Sequence, residues 1–413
     1  MQRKVTLATH IPDSITMSYR VLMIAPTSFF LDYGCHVRIL EEARVLQSFG
    51  HRVKIVTYPL GRNLSGLDIE RTLPIPFRSH SEVGPSRSKI IIDVLLALKT
   101  LQTALVFKPH IVHAHLHEGA LIGGAISRLL RIPLVFDFQG SMTSEIIDHR
   151  FLGQNSKLIP LIRGMEWNIN RLPQKILTSS RNAAHLLTDK FNVPSDKILI
   201  LTDNADASAF GPVQDGKRAT QMHELQTRLG IPDGHSIIIY IGLLDTYRGT
   251  DVLLDAAAQL LAHRSNTHFV IIGFPNIERY QVRAHELGID HHVSFPGRVP
   301  YEDVPSWLSL GDVAVEPKMS ATEAAGKVLN YMAMALPVVA FDIPVMHEYL
   351  GDLGVFAPLG DAGSFSDQIE MLLDHPERAR TIGLALRERA KQQFSWDRAG
   401  RAIECVYKEL LEK

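Results

Sequence analysis

The sequence predicts an α/β protein with two Rossmann-like domains, each built on a parallel sheet with crossover helices. Short apolar runs rich in β-branched residues alternate with helical patterns along the whole chain, which is typical of such sheets. The chain has 413 residues, more than one ordinary hydrophobic core requires. The polar stretch 211–226 follows the first series of elements, so we expect the domain boundary near it.

In the first half, apolar runs predict strands and the spacing of apolar residues predicts the helices between them. The strands are expected at 21–25, 53–57, 111–114, 134–138, 175–178 and 198–202. The helices are expected at 37–49, 89–107, 120–130, 158–171 and 180–190.

The second half repeats this alternation. Its strands are expected at 237–241, 269–272, 293–295, 313–316, 338–341 and 355–356. Its helices are expected at 250–263, 277–287, 304–310, 327–335, 363–374, 376–393 and 396–411. Two open parallel sheets in tandem predict a cleft at the carboxyl ends of their strands, where such folds bind ligands.

The amino-acid composition limits the partners and the cellular compartment that we expect for this protein. The net charge of −1 gives no electrostatic argument for a nucleic-acid partner. Cys35 and Cys405 offer neither a disulfide framework nor the spacing of a metal site, so a reducing cytoplasm is expected. The first residues lack the apolar core of a signal peptide, and Met17 is a second candidate for the native start.

The segment 316–342 carries the strongest local signal. Gly326 and Lys327 stand where a loop turns into a helix, Pro337 ends the helix, and a β-branched run follows. The backbone N–H groups at a helix start, together with a lysine, favour an anion such as phosphate. The alternative is an ordinary loop-to-helix junction.

Several motifs, taken in order, resemble those of the family-4 retaining glycosyltransferases, also called glycosyltransferase group 1. The matching stretches are IVHAH, LTDNADASAF, GLLDTYRGTDVLL, VSFPGRVPYEDV, LNYMA and LPVVA. The chain departs from the family pattern at several positions. Asn330 replaces a glutamate, Leu243 an arginine and Ala335 a glycine, while the first glutamate of the motif falls at Thr322, beside Glu323.

The resemblance implies the GT-B fold, in which two Rossmann-like domains face a cleft. It implies an acceptor-side domain at 21–203 and a donor-binding domain at 204–394, and the residues before them, 1–20, are expected to form an N-terminal extension. The last helix, at 395–413, is expected to pack back on the N-terminal domain.

The resemblance also implies which residues bind a nucleotide-sugar donor. They are Gly34, Gly242, Arg248, Glu323, Ala325, Gly326, Lys327, Val328 and Asn330. Arg248 and Lys327 are expected to stabilise the leaving diphosphate, because negative charge grows there as the glycosidic bond breaks. Lys327 would replace the cation missing at Leu243, and Asn330 would bind ribose hydroxyls.

By resemblance, His115 lies beside the donor sugar at the reacting centre, so His115, Arg248 and Lys327 are the predicted catalytic residues. Contacts with the acceptor are predicted on weaker grounds, for Cys35, His36, His117 and Gln139. Asp137 and Ser141, which end the same strand as Gln139, are further candidates.

A metal is a less favoured reading of the histidines at 113, 115 and 117, which would share one face of a strand and lie beside Glu118. We expect no metal and no other cofactor, with the nucleotide sugar as a co-substrate.

Helix 89–107 is apolar with basic ends, and we favour a buried crossover helix over a peripheral contact with the inner face of the membrane.

The predicted function is therefore transfer of a sugar from a nucleotide-diphosphate sugar to a glycan, lipid-linked or small-molecule acceptor. The alternatives are another GT-B enzyme, such as a nucleotide-sugar epimerase or a phosphorylase, and a catalytically silent binding subunit.

Overall fold

A computed structural model describes residues 17–32, 34–74, 89–148, 152–153, 155–212, 216–320 and 325–412. The chain divides into two compact units. The N-terminal unit runs to Thr202 and includes the chain from Trp396 onward, and the C-terminal unit comprises most of 203–395. The division precedes the polar stretch 211–226, much of which is helical.

The N-terminal unit is a seven-stranded sheet in the order β3-β2-β1-β4-β5-β6-β7, and its neighbouring strands are parallel. Its strands are β1 (Arg20–Ala25), β2 (Arg52–Thr57), β3 (Asp68–Arg71), β4 (Ile111–His115), β5 (Leu134–Phe138), β6 (Lys175–Thr178) and β7 (Ile198–Ile200). Its helices are α1 (Gly34–Ser48), α2 (Lys89–Phe107), α3 (Leu116–Leu130), α4 (Met142–Asp148), α5 (Ile159–Ile169), α6 (Arg181–Phe191) and the C-terminal helix, α15 (Trp396–Leu411).

The C-terminal unit is a six-stranded parallel sheet in the order β10-β9-β8-β11-β12-β13. Its strands are β8 (Ser236–Leu243), β9 (Thr267–Phe274), β10 (Val293–Gly297), β11 (Val313–Glu316), β12 (Val338–Phe341) and β13 (Val355–Ala357). Its helices are α7 (Gly216–Leu229), α8 (Thr250–Leu261), α9 (Ile277–Glu286), α10 (Val304–Leu308), α11 (Gly326–Ala333), α12 (Pro344–Leu350), α13 (Ala362–Asp374) and α14 (Pro376–Gln393).

The central strand β12, VVAF, reads as a continuous apolar run because it is buried on both faces of its sheet. The strands β4 and β5 are equally buried but carry His113, His115 and Asp137. In the N-terminal unit, α2, α3, α5 and α6 pack on one face of the sheet. The C-terminal helix α15 packs against α1, and Gly400 allows close approach because a Cβ there would lie 2.5 Å from Val45.

Two local expectations are wrong. The strand β4 ends at His115 and α3 begins at once, so His117 is helical and does not share a strand face with the other two histidines. The helix α2 is not a buried crossover helix, since only 28% of its most apolar stretch is buried. Within the described ranges, it is the one helix long and apolar enough to cross a bilayer.

Candidate active site

The carboxyl ends of β4 and β5 carry a buried cluster centred on Asp137. The Arg38 guanidinium donates to this carboxylate from Nε at 2.9 and 3.0 Å and from Nη2 at 2.7 Å. His115 Nδ1 lies 3.1 Å from Oδ2, and Gln139 Nε2 donates to the same oxygen at 2.8 Å. Burial alone would raise the pKa of Asp137, but Arg38 and His115 outweigh it and hold the pKa well below its usual range.

Asp137 therefore acts inside the unit as a fixed anion, and its contact with an acceptor stays a prediction. Because the carboxylate accepts from His115 Nδ1, that nitrogen carries the proton, and the hydrogen bond fixes the orientation of the ring. His115 Nε2 is buried and has no hydrogen-bond partner among the described residues. This oriented nitrogen can hydrogen-bond a hydroxyl group.

A second layer of the cluster joins α1 and α15 to β4. The His113 and His115 rings stack with centroids 4.8 Å apart. His113 Nδ1 lies 2.7 Å from the Tyr407 hydroxyl, and its Nε2 lies 3.4 Å from Glu42 Oε2. Burial, reinforced by His115, keeps the pKa of His113 well below its usual value, so this ring is neutral. His113 thus packs at the end of its strand.

The same cluster contains a set of potential metal ligands in which Glu42 joins His113 and His115, in place of the His117 and Glu118 considered from the sequence. Ligand atoms of Glu42, His113 and His115 lie within 4.8 Å of one another. Arg38 Nε, however, lies 3.1 Å from Glu42 Oε1, so a fixed positive charge already occupies the carboxylate and opposes a divalent ion.

His117 and Glu118 have partners elsewhere. His117 is buried, its Nε2 lies 3.5 Å from Glu166 Oε1, and its ring packs edge-on against Phe136 and Phe138. Glu118 pairs with Lys89. These contacts hold the His117 ring within the unit, and its contact with an acceptor stays a prediction.

The other predicted acceptor residues surround the start of α1. His36 is fully buried and accepts a hydrogen bond from the Leu31 N–H at 2.8 Å, while its other nitrogen bonds the Thr27 hydroxyl. Both ring nitrogens are therefore used within the unit. Burial, followed by the Glu145 charge, raises the pKa of Cys35 to about 12, so this residue is a neutral thiol.

Of the remaining residues in this unit, Gly34 is exposed at the first position of α1, and a Cβ there would meet nothing within 4 Å. Gln139 is half-buried and already donates to Asp137. Ser141 is buried, and its hydroxyl accepts from the Ser144 N–H at 3.3 Å.

In the C-terminal unit, α11 begins at Gly326, as the anion-site argument requires. The preceding residue, Ala325, is buried and gives the helix no side-chain cap. Gly326 has little space, because a Cβ would lie 2.8 Å from Asp203 Oδ2. The N-cap residue of this helix therefore supplies no side chain to satisfy the first N–H groups, and the Asp203 carboxylate lies beside Gly326.

Lys327 lies in the first turn of α11 and reaches the end of β11. Its Nζ is 2.9 Å from Glu316 Oε2 and 4.0 Å from the centroid of the Tyr240 ring. Gly242 makes room for it, since a Cβ there would lie 2.5 Å from Nζ. Burial, and then the charge of Arg248, lowers the pKa of Lys327 although Glu316 opposes the shift. From the sequence, Lys327 is expected to be a cation without an acidic partner. In the structure it pairs with the buried carboxylate of Glu316.

Arg248 is the second predicted cation and precedes α8. It ends a single 3-10 turn, Thr246–Arg248, and is followed by Gly249 at φ +79°. A Cβ on Gly249 would collide with the Pro317 carbonyl, so only glycine lets this turn lie against the end of β11. Arg248 is half-buried, and its charge acts on both Lys327 and Tyr240.

The remaining donor residues lie along α11. Val328 is buried, and Asn330 is half-buried one turn into the helix. Glu323 lies outside the described residues.

Sequence reasoning missed four partners that the structure supplies, namely Arg38, Glu42, Glu316 and Tyr407. Arg38 and Glu42 are charged residues four positions apart on an almost fully buried stretch of α1, which is a usable signal. Tyr407 has no such signal, because it lies 294 positions from His113.

The chain matches two family models. "Glycosyltransferase Family 4" covers residues 34–202, and "Glycosyl transferases group 1" covers residues 221–389. The chain is a group 1, family-4 glycosyltransferase.

This glycosyltransferase has relatives of known activity. It is 26% identical to the alpha-D-kanosaminyltransferase of Streptomyces kanamyceticus, over 72% of this chain and 77% of that protein. It is 25% identical to the D-inositol 3-phosphate glycosyltransferase of Thermobispora bispora, over 92% of this chain and 90% of that protein.

Solved structures confirm the two-domain α/β GT-B fold for the glycosyltransferase. Sucrose-phosphate synthase of Thermosynechococcus elongatus superposes with a TM-score of 0.79 at 16% identity, over 95% of this chain and 99% of that one. HepE of Anabaena, solved with UDP-glucose, superposes with a TM-score of 0.76 at 15% identity, over 95% of this chain and 100% of that one. The catalytic domain of starch synthase IV of Arabidopsis thaliana, bound to ADP and acarbose, superposes with a TM-score of 0.76 at 14% identity, over 96% of this chain and 100% of that one.

Proposed function

We propose that this glycosyltransferase moves a sugar from a nucleoside-diphosphate sugar to a hydroxyl of a glycan, lipid-linked or small-molecule acceptor. We further propose that it retains the anomeric configuration, needs no metal ion and works in the cytoplasm. Retention rests on the family resemblance. The observation that carries the donor class is the placement of Lys327 and Arg248 at the starts of α11 and α8.

A leaving diphosphate needs positive charge at the oxygens where negative charge grows. Two cations whose charges interact, beside a helix start whose N-cap residue makes no side-chain cap, supply it. The solved neighbours bind UDP, UDP-glucose and ADP, which supports a nucleotide ligand for this chain.

His115 supports the sugar end of the reaction. Asp137 fixes the ring through Nδ1, and the other nitrogen, Nε2, can hydrogen-bond a sugar hydroxyl beside the anomeric carbon. Asp137 itself cannot take over that task, because Arg38, His115 and Gln139 already occupy it.

Independence from metal has its own support. Two aspartates two positions apart, the common metal-binding pair of nucleotide-sugar enzymes, do not occur in the sequence. Protein cations would then neutralise the diphosphate directly.

The test is a panel of nucleotide sugars incubated with the enzyme in the presence of a chelator. We expect one of them to raise the melting temperature and to be cleaved slowly to its nucleoside diphosphate without any acceptor. Stabilisation without cleavage, even with acceptors added, would indicate the silent binding subunit. Conversion of the donor to an isomer would indicate an epimerase. Release of a sugar that depends on added phosphate would indicate a phosphorylase.

A further inference from the structure

The helix α2 presents an apolar face to solvent. Its large apolar side chains are 55% to 81% exposed at Ile90, Ile91, Val94, Leu98, Leu105 and Val106. At 3.6 residues per turn, these positions fall on one side of the helix. The opposite side, with Ile92, Leu96 and Ala104, packs on the sheet.

The charged side chains of α2 point away from this face. Lys89 pairs with Glu118, and Asp93 accepts from the Tyr58 hydroxyl. Lys99 Nζ lies 2.8 Å from Glu70 Oε2. An ordinary surface helix turns its charges toward water, and α2 turns them toward its own unit.

The apolar surface continues onto the helices beside α2. The helix α3 contacts both α2 and α5. Exposed apolar residues on these two helices are Leu121, Leu129, Leu161, Met165 and Trp167. Single exposed apolar residues need no explanation, but a surface shared by three neighbouring helices marks an interaction site. We call it the α2–α3–α5 surface.

The charge of this surface identifies its partner. The acidic residues of the three helices are Asp93, Glu118 and Glu166, and each is paired or buried within the unit. The exposed charges are basic, at Arg128, Arg131 and Arg163. A second copy docked on the same surface would set these arginines against each other without an acidic partner, because the two copies present the same patch.

We propose that the α2–α3–α5 surface docks on a lipid bilayer that carries anionic headgroups. The apolar side chains enter the boundary between headgroups and acyl chains, and the arginines remain at the headgroups. The helix α2 lies along the bilayer and does not cross it, because its other side is part of the core. This proposal is independent of the donor and of the acceptor.

The experiment is co-sedimentation of the full chain with vesicles of phosphatidylcholine alone or mixed with phosphatidylglycerol. We expect binding to the mixed vesicles that weakens with added salt, and much weaker binding to phosphatidylcholine alone. The fluorescence of Trp167, which is exposed on α5 while Trp307 and Trp396 are buried, should shift to the blue. The matched control Trp167→Phe should lose that shift.

Variants locate the contact. Leu98→Glu and Ile91→Glu should each weaken vesicle binding about tenfold or more. Val282→Glu is the matched control, because Val282 is 59% exposed on α9 in the other unit, and it should bind like the wild type. Melting temperatures verify that the variants fold. If either glutamate variant unfolds, Arg128→Gln with Arg131→Gln still tests the surface, with about a fivefold loss expected per arginine.

Three results would overturn the proposal. The first is no binding of the wild type to anionic vesicles, or equal binding to both compositions. The second is unchanged binding by folded variants of the surface. The third is a lipid-free dimer that Leu98→Glu dissociates, which would assign the surface to a second copy of the chain.

Discussion

Replacing Lys327 with methionine separates a structural lysine from one that binds the donor. The side chain is 16% exposed, and its partner Glu316 is fully buried. Methionine keeps the length and apolar stem of the lysine while removing the charge. The variant therefore deletes one ion pair and one predicted phosphate contact at the same time.

The two losses have different magnitudes. Breaking a buried ion pair from one side costs about 3–5 kcal/mol of unfolding free energy, because the remaining charge stays buried. The partial exposure of Lys327 favours the lower end, about 3 kcal/mol. Loss of a charged hydrogen bond to the diphosphate costs about 1.5–3 kcal/mol, or roughly ten- to a hundredfold in nucleotide affinity.

The matched control is Glu316→Gln, alone and combined with Lys327→Met. Removing both charges should restore most of the lost stability, since no unpaired carboxylate remains. Nucleotide affinity should stay low in the double variant, because the cation is still absent. Glu316→Gln alone should bind nucleoside diphosphate at least as tightly as the wild type, because its lysine no longer has a competing anion.

The assays are denaturant unfolding for stability and isothermal calorimetry with UDP, ADP and GDP for affinity. The reasoning is refuted if affinity recovers together with stability in the double variant, since Lys327 would then act only through the fold. Wild-type affinity in a folded Lys327→Met variant would refute it equally.

Three further predictions follow from the site. His115→Ala should lower turnover by at least about a hundredfold while nucleotide affinity stays within about twofold, because the ring meets the sugar and not the phosphates; equal turnover would dismiss the role. Arg248→Ala should weaken nucleoside-diphosphate binding by about ten- to a hundredfold, and with Lys327→Met the combined loss should differ from the sum of the singles; strict additivity would show that the two cations hold separate groups. Gly249→Ala should destabilise the protein by at least about 1 kcal/mol, since the residue lies at φ +79° and its new Cβ would meet the Pro317 carbonyl; Gly230→Ala, at φ +65° with open space around it, is the control, and equal losses would show that strain and not the contact is responsible.

Local patterns predicted most of the strands and long helices, because buried parallel strands read as apolar runs and the helices between them have clear spacing. The strand β3 was missed since its sequence, DIER, is mostly charged and lies at the edge of the sheet. The helix α7 lies within a polar stretch that composition alone presents as a loop.

Exposure and pairing were harder to predict than secondary structure. The composition of α2 fits a buried or an exposed helix equally well, and the decision depends on where Glu70 and Glu118 lie in space. Similarly, the anion site at Gly326 and Lys327 is visible in the sequence, while the opposing carboxylate of Glu316 is set by the end of β11. Local sequence patterns do not show which distant segments of the chain contact each other.

The central claim is that this glycosyltransferase binds a nucleoside diphosphate through protein cations and without a metal ion. Calorimetric titration of the full chain with nucleoside diphosphates, repeated with an excess of chelator, tests it most directly. We predict the same affinity in both titrations for at least one nucleotide, and a loss of about ten- to a hundredfold in Arg248→Ala. Binding that disappears with the chelator, or that is unchanged in a folded Arg248→Ala variant, would contradict the claim.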